Sequence, residues 1–305
     1  MQYCLRCKEF FMDGLINIYK EKGFTSHDVV AKMRGILHMK KIGHTGTLDP
    51  DATGVLPVCI GKGTRLCSLL ENHDKTYQAV LLLGLETDTQ DISGQVLQQK
   101  QVSVTEEQVK QAAAAFRGKI MQVPPMYSAL KVNGKKLYEY AREGKTVERA
   151  PRPVEIYELS IDRIELPRVT MNVSCSKGTY IRTLCHDMGQ VLGCGGCMES
   201  LVRTRVGNFY LEEAITLQEL EQKRDRDELD SCIVTVEDIF RDLPSVSTGE
   251  PFDVLVHNGN RIRSHMLDRI PSGMQIRVYD SSGTFIGLYE ADPVRKDYKP
   301  LKMFL

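Results

Sequence analysis

Residues Lys75 to Leu85 alternate in polarity and then run apolar, the pattern of a strand inside a covered sheet. Two further runs, around residues 154–164 and 168–175, read the same way. Helical signals lie before, between and after them. Val29, Val30, Met33, Ile36 and Leu37 recur at helical spacing after Ser26, which is placed to cap them. Thr105-Glu106-Glu107-Gln108 fits a capping box ahead of an alanine-rich helix reaching about Phe116. Thr64 is placed to cap a helix ending near Glu71, and Lys135 to Glu143 reads as another short one. A glycine turn at Gly178 opens a further helix, with Tyr180 and Arg182 close to its start.

Gly43-His44-Thr45-Gly46-Thr47-Leu48-Asp49-Pro50 is too irregular for a helix and too glycine-rich for a central strand. A residue before proline is pushed out of the right-handed helical region, so Asp49 is expected on extended or turn backbone with its side chain projected. The residues alone leave two readings open: a structural turn closed by an Asx hydrogen bond, and a carboxylate presented to a ligand.

With 305 residues, 42% of them hydrophobic, the chain can bury a full core as one large domain or a large one with a small partner. Its longest apolar run, Ala79 to Leu83, falls far short of the roughly 20 residues that cross a bilayer. The first 20 residues lack the pattern of a signal peptide, so the expectation is a cytoplasmic protein without membrane contact. Forty basic residues balance forty acidic ones, so binding of a polyanion has to rest on a local patch. The best candidate is Lys131 to Arg152, with seven basic residues, Lys135 and Lys136 among them, against three acidic ones. Residues 212–230 carry eight acids against three bases and should face away from phosphate.

Residues 1–11 read as an extension ahead of a strand-like run from Met12, and a shift in composition near Pro244 marks a linker. The expected division is therefore an extension at 1–11, a main domain at 12–243 and a small β-rich domain at 244–305. Strand-like pieces in the last part are Phe252 to Val256, Gln275 to Tyr279 and Thr284 to Tyr289.

Several signals fail. The nine cysteines show no disulfide framework and are expected to be reduced thiols. Cys4/Cys7 and Cys194/Cys197 supply four zinc ligands only if the N-terminus folds back across the molecule, so idle thiols are the favoured reading. Gly61-Lys62-Gly63-Thr64 lacks the first glycine and the Ser/Thr of a phosphate loop, and Gly193-Cys194-Gly195-Gly196 reads as a turn. The seven histidines contain no His-x-x-x-His pair on one helix, and His186-Asp187 reads as a structural helix-surface pair. Ser200 to Gly207 reads as a basic, polar segment.

Taken together, Lys41 to Pro50 with Ala52 to Pro57, Lys75-Thr76-Tyr77, Met126 to Lys131 and Lys177 to Arg182 resemble the bacterial tRNA pseudouridine synthase B family over about residues 12–220. The tail from residue 245, on His257 to Asn260 and Gly283 to Gly287, looks like that family's C-terminal PUA-type RNA-binding domain. Glu21 departs from the family's usual proline after Lys20, and Cys197 is unexpected in its loop. The architecture expected is α+β: a mixed, mostly antiparallel sheet with flanking helices and a cleft holding Asp49, followed by the small PUA-like β domain.

The resemblance implies isomerisation of uridine 55 in the tRNA TΨC loop to pseudouridine, with tRNA as partner and no cofactor or metal; a monomer without a protein partner is expected. It places Asp49 as the catalytic aspartate, Tyr77 as the tyrosine stacking on the target base, and Tyr180 with Arg182 in the motif whose arginine pairs with the aspartate. His44 matches the histidine filling the gap left by the flipped nucleotide, Leu201 the apolar pocket position and Lys20 the N-terminal lysine; Lys135 and Lys136 are assigned to the RNA backbone. Physically, an ionised Asp49 can attack C1′ or take the C2′ proton, and a paired guanidinium counters the rise that an apolar wall imposes on a carboxyl. The residues by themselves favour Tyr77 as a core strand tyrosine. Two other functions stay open: a tRNA-binding folding helper with secondary catalysis, and a uridine-directed RNA glycosidase.

Overall fold

The structure is a computed structural model, and it describes residues 12–271 and 273–305. The expected extension at 1–11, with Cys4 and Cys7, lies outside these residues. In chain order β1 (Gly14–Lys20), α1 (Ser26–Leu37), β2 (Ile42–His44) and β3 (Thr53–Ile60) lead through a 3-10 segment at Gly61–Leu66 to α2 (Cys67–Leu70). Next come β4 (Lys75–Leu83), the hairpin β5 (Leu85–Thr87) and β6 (Val96–Gln99), α3 (Glu106–Ala115) and β7 (Gly118–Gln122). A two-stranded ribbon of β8 (Lys131–Val132) and β9 (Lys135–Lys136) precedes α4 (Leu137–Arg142). The main part continues with β10 (Arg152–Glu165), β11 (Arg168–Cys175), α5 (Ile181–Val191), β12 (Gly196–Val206), β13 (Phe209–Tyr210), α6 (Leu217–Asp225), β14 (Ile233–Thr235) and α7 (Val236–Ile239). The tail holds β15 (Ser245–Ser247), α8 (Asp253–His257), β16 (Gln275–Tyr279), β17 (Phe285–Asp292) and β18 (Asp297–Met303).

Ten strands form one sheet in the order β14-β1-β3-β12-β4-β11-β10-β7, with β2 on β3 and β13 on β12. Its pairings are antiparallel except β12 with β3, so the fold is the expected α+β with a mixed, mostly antiparallel sheet. That parallel join requires a glycine. A Cβ on Gly54 would sit 2.2 Å from the Arg203 carbonyl oxygen, and its φ is +103°.

Alternation settles which side chains face the core. On β4, Lys75, Tyr77, Ala79, Leu81 and Leu83 are buried on one face, which packs with β11 and α5. On β1, Ile16 and Ile18 pack against α1 and α6, while Leu15 points to the opposite cluster. That opposite cluster also takes Leu288 and Phe304 from the tail, so its four-stranded sheet is anchored on the main domain by shared core.

Local assignments differ at several points. Thr25, not Ser26, caps α1, closing a capping box with Asp28. Thr64 caps nothing: its hydroxyl donates to the Gly61 carbonyl inside the 3-10 segment. Ser200 to Gly207 belongs largely to the central strand β12, and Phe252 to Val256 is largely helix α8. In the first case tertiary burial overrides a polar composition; in the second a short apolar run fits either periodicity. No helix among the described residues is long and apolar enough to cross a membrane.

Candidate active site

The loop between β2 and β3 carries Asp49, and its backbone is fixed from several sides. Leu48 N–H donates to Ser26 Oγ at 2.9 Å, so the serine first read as a cap instead holds the loop. Thr45 donates from backbone and hydroxyl to the Pro57 carbonyl, and Leu48 and Ala52 are buried in the core. Two buried cations grip the loop's carbonyls. Arg203 reaches Gly46 O at 3.3 Å and Thr47 O at 3.4 Å as well as Val55 O at 2.7 Å. Lys20 Nζ reaches Pro50 O at 3.0 Å, Phe24 O at 2.6 Å and Glu21 O at 3.2 Å. Lys20 is fully buried, so in place of the expected substrate contact it braces the aspartate loop.

Asp49 does not close an Asx turn. Its carboxylate meets Arg182 side-on, Nε to Oδ2 at 3.0 Å and Nη2 to Oδ1 at 3.3 Å. Arg182, from the first turn of α5, is itself locked by Thr89 O at 3.0 Å, Tyr127 O at 2.8 Å and Asp91 at 3.6 Å. The turn holding Asp91 was not singled out in the sequence; its threonine- and aspartate-rich composition after a strand was the available signal. Burial lifts the Asp49 carboxyl above its ordinary range, Arg182 pulls it back, Asp91 lifts it again and Lys20 opposes. The net direction is upward, so pairing offsets desolvation only in part.

Asp49 opens onto a cavity of about 460 Å³ that Tyr77, Tyr180, Arg182, Leu201, Lys75 and Arg203 also line. Tyr77 is both a core strand residue and a cavity wall, 8% exposed, and its phenol is pushed up to about 12 by burial while Arg203 pulls the other way. Tyr180 precedes α5, and Gln122 holds it by accepting from its backbone N–H at 2.8 Å and donating to its carbonyl at 3.0 Å. Arg203, 1% exposed, and Lys75, 9% exposed, escaped the sequence reading as site residues. The usable signal for Lys75 was its two-residue offset from Tyr77 on one strand face.

Besides Lys20, three expected residues stand outside this cavity lining. His44, at the end of β2, sits edge-on to His27 at 5.2 Å, and burial lowers its imidazole pKa. Lys135 pairs with Glu143 and stands over the Tyr140 ring, and Lys136 stands over Tyr138, whose own side chain borders the cavity. Cys194 and Cys197 are buried thiols whose pKa burial raises. Among the described residues no cluster of histidine, cysteine and acidic side chains has the arrangement of a metal site. His186 and Asp187 contact each other on α5 at 3.1 Å.

Comparison with known proteins gives consistent matches along the chain. A family model described as TruB family pseudouridylate synthase (N terminal domain) matches residues 34–181, and one described as tRNA pseudouridylate synthase B C-terminal domain matches residues 182–241. The tRNA pseudouridine synthase B of Lachnoclostridium phytofermentans is 48% identical, over 96% of this chain and all of its own length. That of Pediococcus pentosaceus is 42% identical, over 96% of this chain and 99% of its own. Among solved structures, one described as a Cbf5-Nop10-Gar1 complex matches with a TM-score of 0.75 and 28% identity, over 97% of this chain and 86% of that one. Another, an H/ACA RNP bound to a substrate RNA containing 2′-deoxyuridine, matches with a TM-score of 0.72 and 26% identity over the same shares.

Proposed function

The chain belongs to the TruB family of pseudouridylate synthases and forms pseudouridine in tRNA, and from that premise we propose that its target is uridine 55 of the TΨC loop and that Asp49 carries the chemistry. The observation behind this reading is the side-on Asp49–Arg182 pair opening on a cavity walled by Tyr77.

The target base has to leave its stack, at a cost of a few kcal/mol. Tyr77 offers a ring face on which stacking recovers roughly 1–3 kcal/mol, and Leu201 closes the apolar side. Asp49, held by its loop and oriented by Arg182, meets C1′ or the C2′ hydrogen of the flipped nucleotide. It acts either as nucleophile or as base, and both roles need the carboxylate form. Arg182 has no freedom to swing away, because two backbone carbonyls and Asp91 hold its remaining N–H groups. His44 fills the space the base vacates, and Tyr180 flanks the pocket. Lys135 and Lys136 track the phosphates by charge.

We read residues 12–243 as the catalytic domain and 244–305 as a PUA-like RNA-binding domain, in a cytoplasmic monomer working without cofactor, metal or protein partner. The test is a TΨC-arm RNA labelled at uracil C5, incubated with wild type and Asp49→Asn. Release of the C5 label with the strand intact, and none from the variant, is the expected result. Free uracil would mark a glycosidase, and RNA binding without turnover by wild type would mark a folding helper.

A further inference from the structure

We propose that Lys75, backed by Arg203, receives the negative charge of the uracil after it detaches from the sugar. The proposal rests on the reading of Asp49 and Tyr77 just given and adds the leaving group's side of the reaction. Lys75 and Arg203 converge on Gly46, where a Cβ would lie 3.7 Å from Lys75 Cε and 3.8 Å from Arg203 Nη1. Both are buried, and neither forms an ion pair among the described residues. Arg203 spends its donors on the carbonyls of Val55, Thr47 and Gly46. Lys75 Nζ donates to His73 O at 2.6 Å and Glu71 O at 3.1 Å, and Glu71, though it also lines the cavity, lends only this carbonyl.

Two neighbouring buried cations without an ion-pair partner, with Asp74 only a weak opposite charge on Lys75, cost free energy in the empty protein. A cavity wall that keeps them is suited to an anion that arrives with, or forms from, the ligand. An ammonium has three N–H donors, so one of Lys75 remains for that anion. Burial, with Arg203 adding to it, lowers Lys75 to about 8, in keeping with the lack of a built-in partner. The placement along the wall also fits: Lys75 and Tyr77 lie two residues apart on one face of β4, and both line the cavity onto which Asp49 opens. A nucleotide with its sugar at Asp49 and its base on Tyr77 therefore has Lys75 on the cavity wall beside the base.

In the step concerned the N1–C1′ bond breaks and its electron pair stays with uracil, spread over N1, O2 and O4. C1′ is satisfied by a bond to an Asp49 oxygen, or the C2′ proton passes to Asp49 and a glycal forms. The free N–H of Lys75 donates to a uracil carbonyl oxygen, and the Arg203 charge behind it deepens the potential. When C5 bonds to C1′, the Asp49–C1′ bond breaks and its electron pair returns to the carboxylate, or, from the glycal, C2′ regains its proton from Asp49; the C5 proton then leaves and N1 gains one, so the isomerisation balances. Lys75 touches the base and is a catalytic residue by this assignment, whereas Arg203 acts through Lys75 and Tyr77 as a positioning residue.

The test compares single-turnover rates of N1–C1′ cleavage on TΨC-arm RNA carrying uridine or 5-fluorouridine, which has no C5 proton to lose, at the target, for wild type, Lys75→Met, Lys75→Gln and Lys75→Arg, with melting curves to verify folding. Lys75→Met should slow the uridine substrate on the order of 100-fold, the size seen on removing one preorganised donor, at unchanged RNA affinity. Fluorine makes the base a better leaving group, so the loss should shrink to about tenfold on that RNA. Lys75→Arg should retain most of the rate. Equal losses on both RNAs in whichever neutral variant folds would overturn the assignment, as would weaker RNA binding at an unchanged rate, which marks a phosphate anchor. Asp49→Asn runs alongside: turnover by that variant would strike down the reading of Asp49 without touching the comparison at Lys75.

Discussion

Arg182 grips Asp49 through two different nitrogens, Nε on Oδ2 at 3.0 Å and Nη2 on Oδ1 at 3.3 Å, across 133 positions of sequence. The fork fixes the plane of the carboxylate, which a point charge cannot do. Arg182→Lys should therefore keep RNA affinity and lower the single-turnover rate by about 100-fold or more. Filter binding and rapid-quench kinetics on one preparation separate the two; a variant with normal rate would show that the fork has no part in turnover.

Asp91 stands 3.6 Å from Arg182 and acts on Asp49 in two ways. It helps hold the guanidinium, and its like charge raises the Asp49 carboxyl, which burial has already lifted. On the proposed reading Asp49 works in its ionised form, so activity should fall as pH drops through its folded-state value, which lies above the ordinary 3.8. Asp91→Asn removes the raising charge, so the acid limb of the pH–rate profile should move to lower pH while the plateau rate drops. A lowered plateau with an unmoved limb would confine Asp91 to holding Arg182.

Gly54 is the residue that lets β3 lie parallel against β12. A methyl group there meets the Arg203 carbonyl oxygen at 2.2 Å on backbone with φ of +103°. Gly54→Ala should lower stability by roughly 3 kcal/mol or more, through combined clash and strain. Chemical denaturation reads this directly, and a loss under about 1 kcal/mol would mean that the strand join relaxes at little cost.

Lys135 and Lys136 sit on a short ribbon whose neighbouring Tyr138 borders the cavity. If they track phosphates, charge reversal at both should weaken tRNA binding and flatten its dependence on salt. Lys135 is partly neutralised by Glu143, so Lys136→Glu alone should have the larger effect of the two single variants. Affinity titrations at several salt concentrations check this, and an unchanged slope would move the RNA to another face.

The tail is anchored by Leu288, 1% exposed, and Phe304, 5% exposed, in a core shared with Leu15, Leu70 and Val206. Each buried side chain of this size contributes about 1.5–3 kcal/mol. Truncation after residue 243 should therefore cost several kcal/mol and expose an apolar face, seen as a lower melting temperature and concentration-dependent association. A truncated chain as stable as the full one would show that the two parts fold independently.

Features with a local cause were legible in the chain itself. The alternation of Lys75 to Leu83 became β4, the capping box at Thr105 became the start of α3, and the glycines around Asp49 became an irregular loop. Hydrogen bonds three residues apart and a period of two are written within a few positions, so they survive without knowledge of the rest. Even the cap of α1 was missed by one residue only, because Thr25 and Ser26 offer the same hydroxyl chemistry and the choice depends on where Leu48 comes to rest.

What the tertiary structure decided concerns charge. Nothing near position 203 in sequence marks that arginine as fully buried, and nothing near position 20 shows that its lysine ends on the carbonyls beneath Asp49. The upward direction of the Asp49 carboxyl likewise depends on burial and on Arg182, Asp91 and Lys20, which come from separate segments. Residue types and short-range periodicity determined the parts and the candidate chemistry; desolvation and the pairing of charges are sums over distant neighbours, and only the packed chain sets them.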